Sequence, residues 1–202
     1  MYINRTLKEY LNDLAAKRPA PGGGSAAALV ASVGASLMSM VANYTVGNPK
    51  YKEVEGKVAS VLVRIENYRA QLQGLIDKDV DAYNRLSTGM KEFSKNPSKL
   101  DEICKEAITP PFEVCSITSE CLKLCKDLAE YGNKNLITDT AIAAIMLEGA
   151  FLSARFNVYI NLKYIKDMDY IEKVHKALSP LEDEIPKLKE DILEKCEDVI
   201  AK

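Results

Sequence analysis

The chain has 202 residues, enough to bury a substantial core as one domain, which is expected to run over 1–202. Its 27 basic and 29 acidic side chains leave a formal charge of −2, which argues against a basic surface for nucleic acid, and none is expected as a partner. Five cysteines, an odd number, with no secretory leader over Met1 to Leu11, fit reduced thiols in a cytoplasmic protein better than a disulfide framework, so the sequons at Asn4 and Asn43 carry no meaning.

Apolar residues recur at helical spacing nearly everywhere and strand-like alternation is absent, so the expected fold class is all-α, a multihelical bundle of long, partly interrupted helices. After a short first helix, breaks are expected at Arg18 to Gly24, Gly47 to Pro49, Lys95 to Pro97, Pro110-Pro111, Gly132 to Leu136 and Lys166 to Asp169. The charged C-terminal helix should be interrupted at Pro180 and Pro186.

The first break holds Pro19-Ala-Pro-Gly-Gly-Gly-Ser25, which places three glycines and a serine at a helix N-terminus. Free N–H groups and the helix dipole there favour an anion or a carbonyl oxygen, which makes Gly22, Gly23, Gly24 and Ser25 candidate substrate-binding positions; a plain cap explains them equally well. The spacing is neither that of a Walker loop nor that of a dinucleotide fingerprint. Nothing between Arg18 and Lys50 is charged, a length that could span a bilayer, but Ala, Ser and Gly dominate and suit close packing inside a protein, so no membrane is expected as a partner. The helix carries small residues four apart, Ala27, Ala31, Ala35 and Ser39, which could pack within the subunit or across a two-fold axis, and a homodimer is expected.

The next segment holds a four-three seam: Val58, Leu62, Ile65, Arg69, Leu72, Ile76, Asp79, Tyr83, Leu86, Met90 and Phe93, with nine of these eleven positions apolar or aromatic. Asp79 points into the seam, whereas Asp77 and Asp81 point well away from it. A carboxylate on an apolar seam is desolvated, which raises its pKa toward the range useful for general acid or base catalysis; the alternative is a buried ion pair, with Arg69 or Arg155.

Cys104, Cys115, Cys121 and Cys125 have no finger-type ligand spacing, so no metal is expected and the thiols read as small hydrophobes. Asp139 opens a segment that is apolar around most of its circumference; it is either an N-cap or a site carboxylate. Glu148, Ser153, Arg155, Asn157 and Asn161 stand out along that helix, with Asn157 and Asn161 one turn apart, as a ligand site or as amides bonded to neighbouring helices. Arg155 is counted with the substrate-binding set. The only histidine, His175, lies in a run dense with Lys and Glu, so Ser-His-Asp and Cys-His mechanisms are mostly excluded and proton transfer falls to carboxylates, Lys, Tyr or Cys.

In order and spacing the Pro-Gly-Gly-Gly-Ser25 loop, Asp79-Val-Asp-Ala-Tyr83, the helix around Pro110-Pro111, Gly132-Asn-Lys-Asn-Leu-Ile-Thr-Asp139 and Asn157-Val-Tyr-Ile-Asn161 resemble the formiminotetrahydrofolate cyclodeaminase and methenyltetrahydrofolate cyclohydrolase family. The resemblance implies an interrupted-helix bundle that dimerises and binds a tetrahydrofolate derivative, as substrate rather than cofactor, near the glycine loop. Asp79, Asp139, Asn157 and Asn161 match the family's polar motif positions, with Asp79 and Asp139 as the implied catalytic pair. No formiminotransferase domain precedes the matching segment, so the resemblance points more firmly to the fold than to the physiological substrate. Three activities follow as expectations: cyclodeamination of 5-formiminotetrahydrofolate, hydrolysis of 5,10-methenyltetrahydrofolate to the 10-formyl compound, or folate binding without turnover.

Overall fold

The computed structural model describes residues 1–93 and 96–202. Among them lie six α-helices: α1 (Leu7–Ala15), α2 (Gly23–Asn43), α3 (Glu55–Glu92), α4 (Pro97–Tyr131), α5 (Ile137–Leu162) and α6 (Met168–Ile200). The expected all-α bundle is the observed one. Lys95, part of one expected break, falls outside the described residues; α3 ends at Glu92, and Asn96 caps α4 by accepting from the Lys99 N–H.

Local chemistry explains the helix starts. Thr6 and Glu9 form a reciprocal capping box at α1, and Asp167 caps α6 through the Tyr170 N–H. α2 is uncharged because it packs against α3, α4 and α5, with Ala28, Ala31, Ala35, Met38 and Val41 wholly buried. The small-residue row Ala27, Ala31, Ala35 and Ser39 is therefore spent inside the subunit. The α3 seam is core where expected, with Val58, Ile65, Leu72, Ile76 and Leu86 buried, while Tyr83 reaches the surface.

Three expected interruptions do not occur. α4 runs unbroken through Pro110 and Pro111, both buried. A proline removes the bond to the carbonyl four residues earlier. For Pro111 that carbonyl belongs to Ala107, and Asn161 Nδ2 of α5 donates to it at 3.4 Å, so a side chain from the next helix replaces the lost backbone donor. α6 continues through Pro180, which is exposed, and Pro186, at the rim, where solvent can serve the freed carbonyls. Its inner face of Val174, Leu178, Ile185, Ile192 and Cys196 sits against α4 and α5.

Gly23–Asn43 and the stretch Lys134–Leu162 are each long and apolar enough to cross a bilayer by length and composition; 61% of the most apolar window is buried in the first and 39% in the second, so α5 is the helix left more open.

The N-terminal segment is fastened by Asp77. Its carboxylate is buried and accepts from the backbone N–H of Tyr2 and, at 3.1 Å, of Ile3. Asp77→Ala removes the acceptor of two part-buried N–H groups and should cost about 1 kcal/mol, measured by urea denaturation against wild type.

Candidate active site

The glycine loop, the middle of α3 and the C-terminal half of α5 meet around a cavity of about 240 Å³ lined by Pro19, Gly22, Gly23, Gly24, Asp79, Tyr83, Leu86, Ala107, Asn157, Ile160 and Asn161. Larger hollows of about 380 to 490 Å³ lie between α3 and α4, but the first of these has its charges paired across it, Lys78 with Glu113 and Arg85 with Glu106. None of them contains a buried ionisable group comparable to Asp79.

Asp79 is the chemical centre of the smaller cavity. Desolvation pushes its carboxyl up to about 6, and the Ser25 backbone N–H, which donates to it, pulls only weakly in the other direction. Among the described residues it has no ion pair: Arg69 binds Glu66 at 2.5 Å and Arg155 binds Glu182 at 3.2 Å. Both partners that could have neutralised it are thus committed elsewhere. The carboxylate instead lies over the first turn of α2, where the positive end of the helix dipole and a free N–H partly replace a cation. Gly24 makes that approach possible, since a Cβ there would stand 2.1 Å from Asp79 Oδ1.

Ser25 fixes the loop to α3. Its hydroxyl is wholly buried, donates to the Ile76 carbonyl at 2.9 Å and meets the Tyr10 hydroxyl at 3.1 Å. The serine side chain therefore faces the protein, not the cavity, and only its backbone N–H reaches the site. Asn157 stands beside Gly23, with Nδ2 donating to the Ser153 carbonyl at 2.9 Å, and Asn161 donates to Ala107 as described. Each amide thus has its N–H end tied to backbone, while neither Oδ1 receives a hydrogen bond from the described residues.

Two expected residues lie elsewhere. Arg155 belongs to the α5–α6 contact, where Glu182 accepts from its Nη1 and, at 2.6 Å, from the Tyr159 hydroxyl. Asp139 sits inside the first turn of α5, whose N-cap position is Leu136, so it is not the cap. It is about 27 Å from Asn157 along the helix, at 1.5 Å per residue. One chain does not bring Asp139 to Asp79. Sequence reasoning did not name Tyr83, Leu86 and Ile160 as site residues, nor Tyr10 as a support of the loop; the α3 seam, which carries Tyr83 and Leu86 four and seven residues after Asp79, was the signal that pointed to the cavity.

Comparison with known proteins bears on the family and the fold. Residues 6–180 match the family described as Formiminotransferase-cyclodeaminase. The chain is 36% identical over 198 residues to a methenyltetrahydrofolate cyclohydrolase of Methylorubrum extorquens, covering 95% of each. It is 31% identical to the formimidoyltransferase-cyclodeaminase of Mus musculus over 89% of this chain but only 34% of that one, about a third of its length. The fold is similar to the crystal structure of a formiminotetrahydrofolate cyclodeaminase from Thermotoga maritima, with TM-score 0.93, 30% identity and 99% of this chain covered.

Asp79 holds its proton up to about 6 in the folded chain but releases it near 3.8 when unfolded, so folding stability is lost as pH rises from about 4 and stays lower above 6, by no more than roughly 3 kcal/mol. Asp79→Asn should therefore raise the melting temperature at pH 8 and leave it unchanged at pH 3.5; calorimetry at both values checks the sign. Gly24→Ala should fold, because the atom it meets ends a flexible side chain, while shifting Asp79 out of place.

Proposed function

Since the chain belongs to the formiminotransferase-cyclodeaminase family, we propose that it is a folate one-carbon enzyme that cyclises 5-formiminotetrahydrofolate to 5,10-methenyltetrahydrofolate and ammonia. The observation that supports this most is Asp79, a half-buried carboxyl with no ion pair among the described residues and a pKa near 6, in a cavity walled by the glycine loop and two amides. N10 attacks the formimino carbon, forming the N10–C bond and a tetrahedral carbon that carries N5, N10 and the former imino nitrogen. Asp79 takes the N10 proton and passes it to the former imino nitrogen, which with a second proton from solvent leaves as ammonia, its bond to carbon breaking as the C=N bond of the methenyl cation forms. Both transfers need a group that gains and loses protons near neutrality, which a carboxyl near 6 does and an ordinary Asp does not.

The Asn157 and Asn161 carbonyl oxygens accept from the pterin or the one-carbon unit, and the first-turn N–H groups of α2 take up negative charge. Tyr83, Leu86 and Ile160 supply the apolar walls for a planar ring. Acid–base chemistry of this kind calls for no cofactor or metal. The working form is a homodimer, and the free, buried state of all five cysteines supports a reducing cytoplasm.

One observation favours hydrolysis of the methenyl ring as a second activity of the same site: the relative of 36% identity, matched over 95% of its length, is a cyclohydrolase. Purified protein supplied with each substrate, with ammonia and methenyl absorbance followed together, separates the two. Ammonia from the formimino substrate is expected, and its absence beside steady loss of methenyl absorbance would reverse the order.

Asp79→Asn should lower kcat at least about a hundredfold with folate affinity largely kept. In the wild type kcat/KM should fall below pH 6 as the base takes up its proton, and this inflection should vanish in Asp79→Asn. Gly24→Ala should cost about a hundredfold through the displaced carboxylate, whereas Gly22→Ala, which meets nothing within 4 Å, should leave the chemical step far less changed.

A further inference from the structure

α1 enters the core through a single side chain: Tyr10 is its one buried residue, while Leu7 and Leu11 are left exposed. A phenylalanine ring would fill the same space, and a buried hydroxyl is tolerated only where it is bonded. Among the described residues the Tyr10 hydroxyl has one partner, Ser25 Oγ at 3.1 Å. The direction of that bond follows from the next one. Ser25 has a single hydroxyl proton and gives it to the Ile76 carbonyl at 2.9 Å, so Tyr10 is the donor, and the two bonds run one way, from α1 through the glycine loop to α3.

The same serine reaches Asp79. Its backbone N–H donates to the carboxyl while its side chain holds the Ile76 carbonyl three residues earlier on α3, so the loop touches α3 at two points about a turn apart. Burial above all, with the Asp79 carboxylate close by, pushes the Tyr10 phenol pKa up, so it stays a donor over the whole range in which Asp79 titrates. The residues ahead of α1 grip the same stretch of α3. Asp77 accepts from the Tyr2 and Ile3 N–H groups, and the Tyr2 ring meets Tyr10 edge-on with centroids 5.5 Å apart. Apart from Tyr10 and Tyr83, no titratable or charged side chain among the described residues faces Asp79: α2 presents Gly24 and Ser25, α4 presents Ala107, and α5 presents Asn157, Ile160 and Asn161.

Resting on the reading of Asp79 as the proton-transferring group, we infer that Tyr10 is a positioning residue for it: the Tyr10–Ser25–Ile76 chain clamps the first turn of α2 against α3 and keeps the Ser25 N–H on the Asp79 carboxylate, so α1 aims a group that it does not itself bond. Loosening the clamp withdraws the N–H, the one contact that favours the charged form, so Asp79 holds its proton more tightly and the base form appears only at higher pH.

Tyr10→Phe keeps the ring and removes only the hydroxyl. It should fold with unchanged helical circular dichroism and raise the inflection of kcat/KM by about half to one pH unit, a fraction of what complete loss of a hydrogen bond to a carboxylate does. Above the inflection kcat should fall about tenfold through the misplaced base, with KM nearly kept. Ser25→Ala, which retains the backbone N–H, should do the same, and Tyr10→Phe/Ser25→Ala should shift the inflection no further than the larger single change, because both cut one chain. Val174→Ala, on the inner face of α6, should lower the melting temperature and leave the inflection in place. The Asp79 carboxyl is followed directly by carbon NMR of protein isotopically labelled at aspartate, its signal assigned by its loss in Asp79→Asn. A titration that stays put or moves down in Tyr10→Phe, or in Ser25→Ala where Tyr10→Phe does not fold, overturns the clamp, as do additive shifts in the double variant or an equal shift in Val174→Ala. A titration that moves up as expected in a protein without folate turnover leaves the clamp standing and overturns only the reaction.

Discussion

A carboxylate held against the start of a helix, with no ion pair among the described residues, is the constraint from which the rest of the structure follows. Asp79 sits half-buried on the α3 seam over the first turn of α2, and its proton affinity is set by lost hydration against one backbone N–H. Gly24 is bare because a methyl group would occupy the place of Oδ1. Ser25 is turned inward because its hydroxyl, with Tyr10, fastens the loop to the Ile76 carbonyl. Asp77, two residues before Asp79, binds the N-terminal segment on another side of the same helix, so α3 is anchored on both sides of the residue that matters.

Chemically, this is an economical way to make an acid–base group. Two arginines within reach on the sequence map are taken up by Glu66 and Glu182, and had either been free to pair with Asp79 its carboxyl would have been pulled below the range in which it exchanges protons near neutrality. The family relationship rests on matched sequence and fold, and the reading of the site rests on Asp79, the one carboxyl among the described residues that is both raised and set in a cleft.

Much of this was legible beforehand, for physical reasons. Helical periodicity reports burial directly, which is why the α3 seam, the exceptional position of Asp79 and the all-helical class could be read from spacing. The loop was legible because glycines followed by serine ahead of an apolar run have few structural uses. Proline misled, since Pro110 and Pro111 normally end a helix, and nothing local reveals that an amide 50 residues later will satisfy the Ala107 carbonyl. Arg155 faces Glu182 instead of the cavity because a helix position gives a direction but not the neighbour found there, and Ser25 reaches the site through its backbone N–H while its hydroxyl turns inward. Asp139 is a different case: motif matching drew it toward the site, whereas the folded single chain leaves it at the opposite end of α5.

Asn161 links two otherwise separate features. Its amide group faces the cavity while serving as the donor that α4 lacks because Pro111 has no N–H. The two positions are therefore physically coupled: exchanging Pro111 for a residue with its own N–H would hand the carbonyl back to its helix and release the amide to turn, while exchanging Asn161 would strand a carbonyl in the floor of the cleft. An unbroken helix through two prolines and an oriented polar contact thus form one physical unit, and any redesign of the cleft's selectivity through Asn161 has to begin with the backbone of α4.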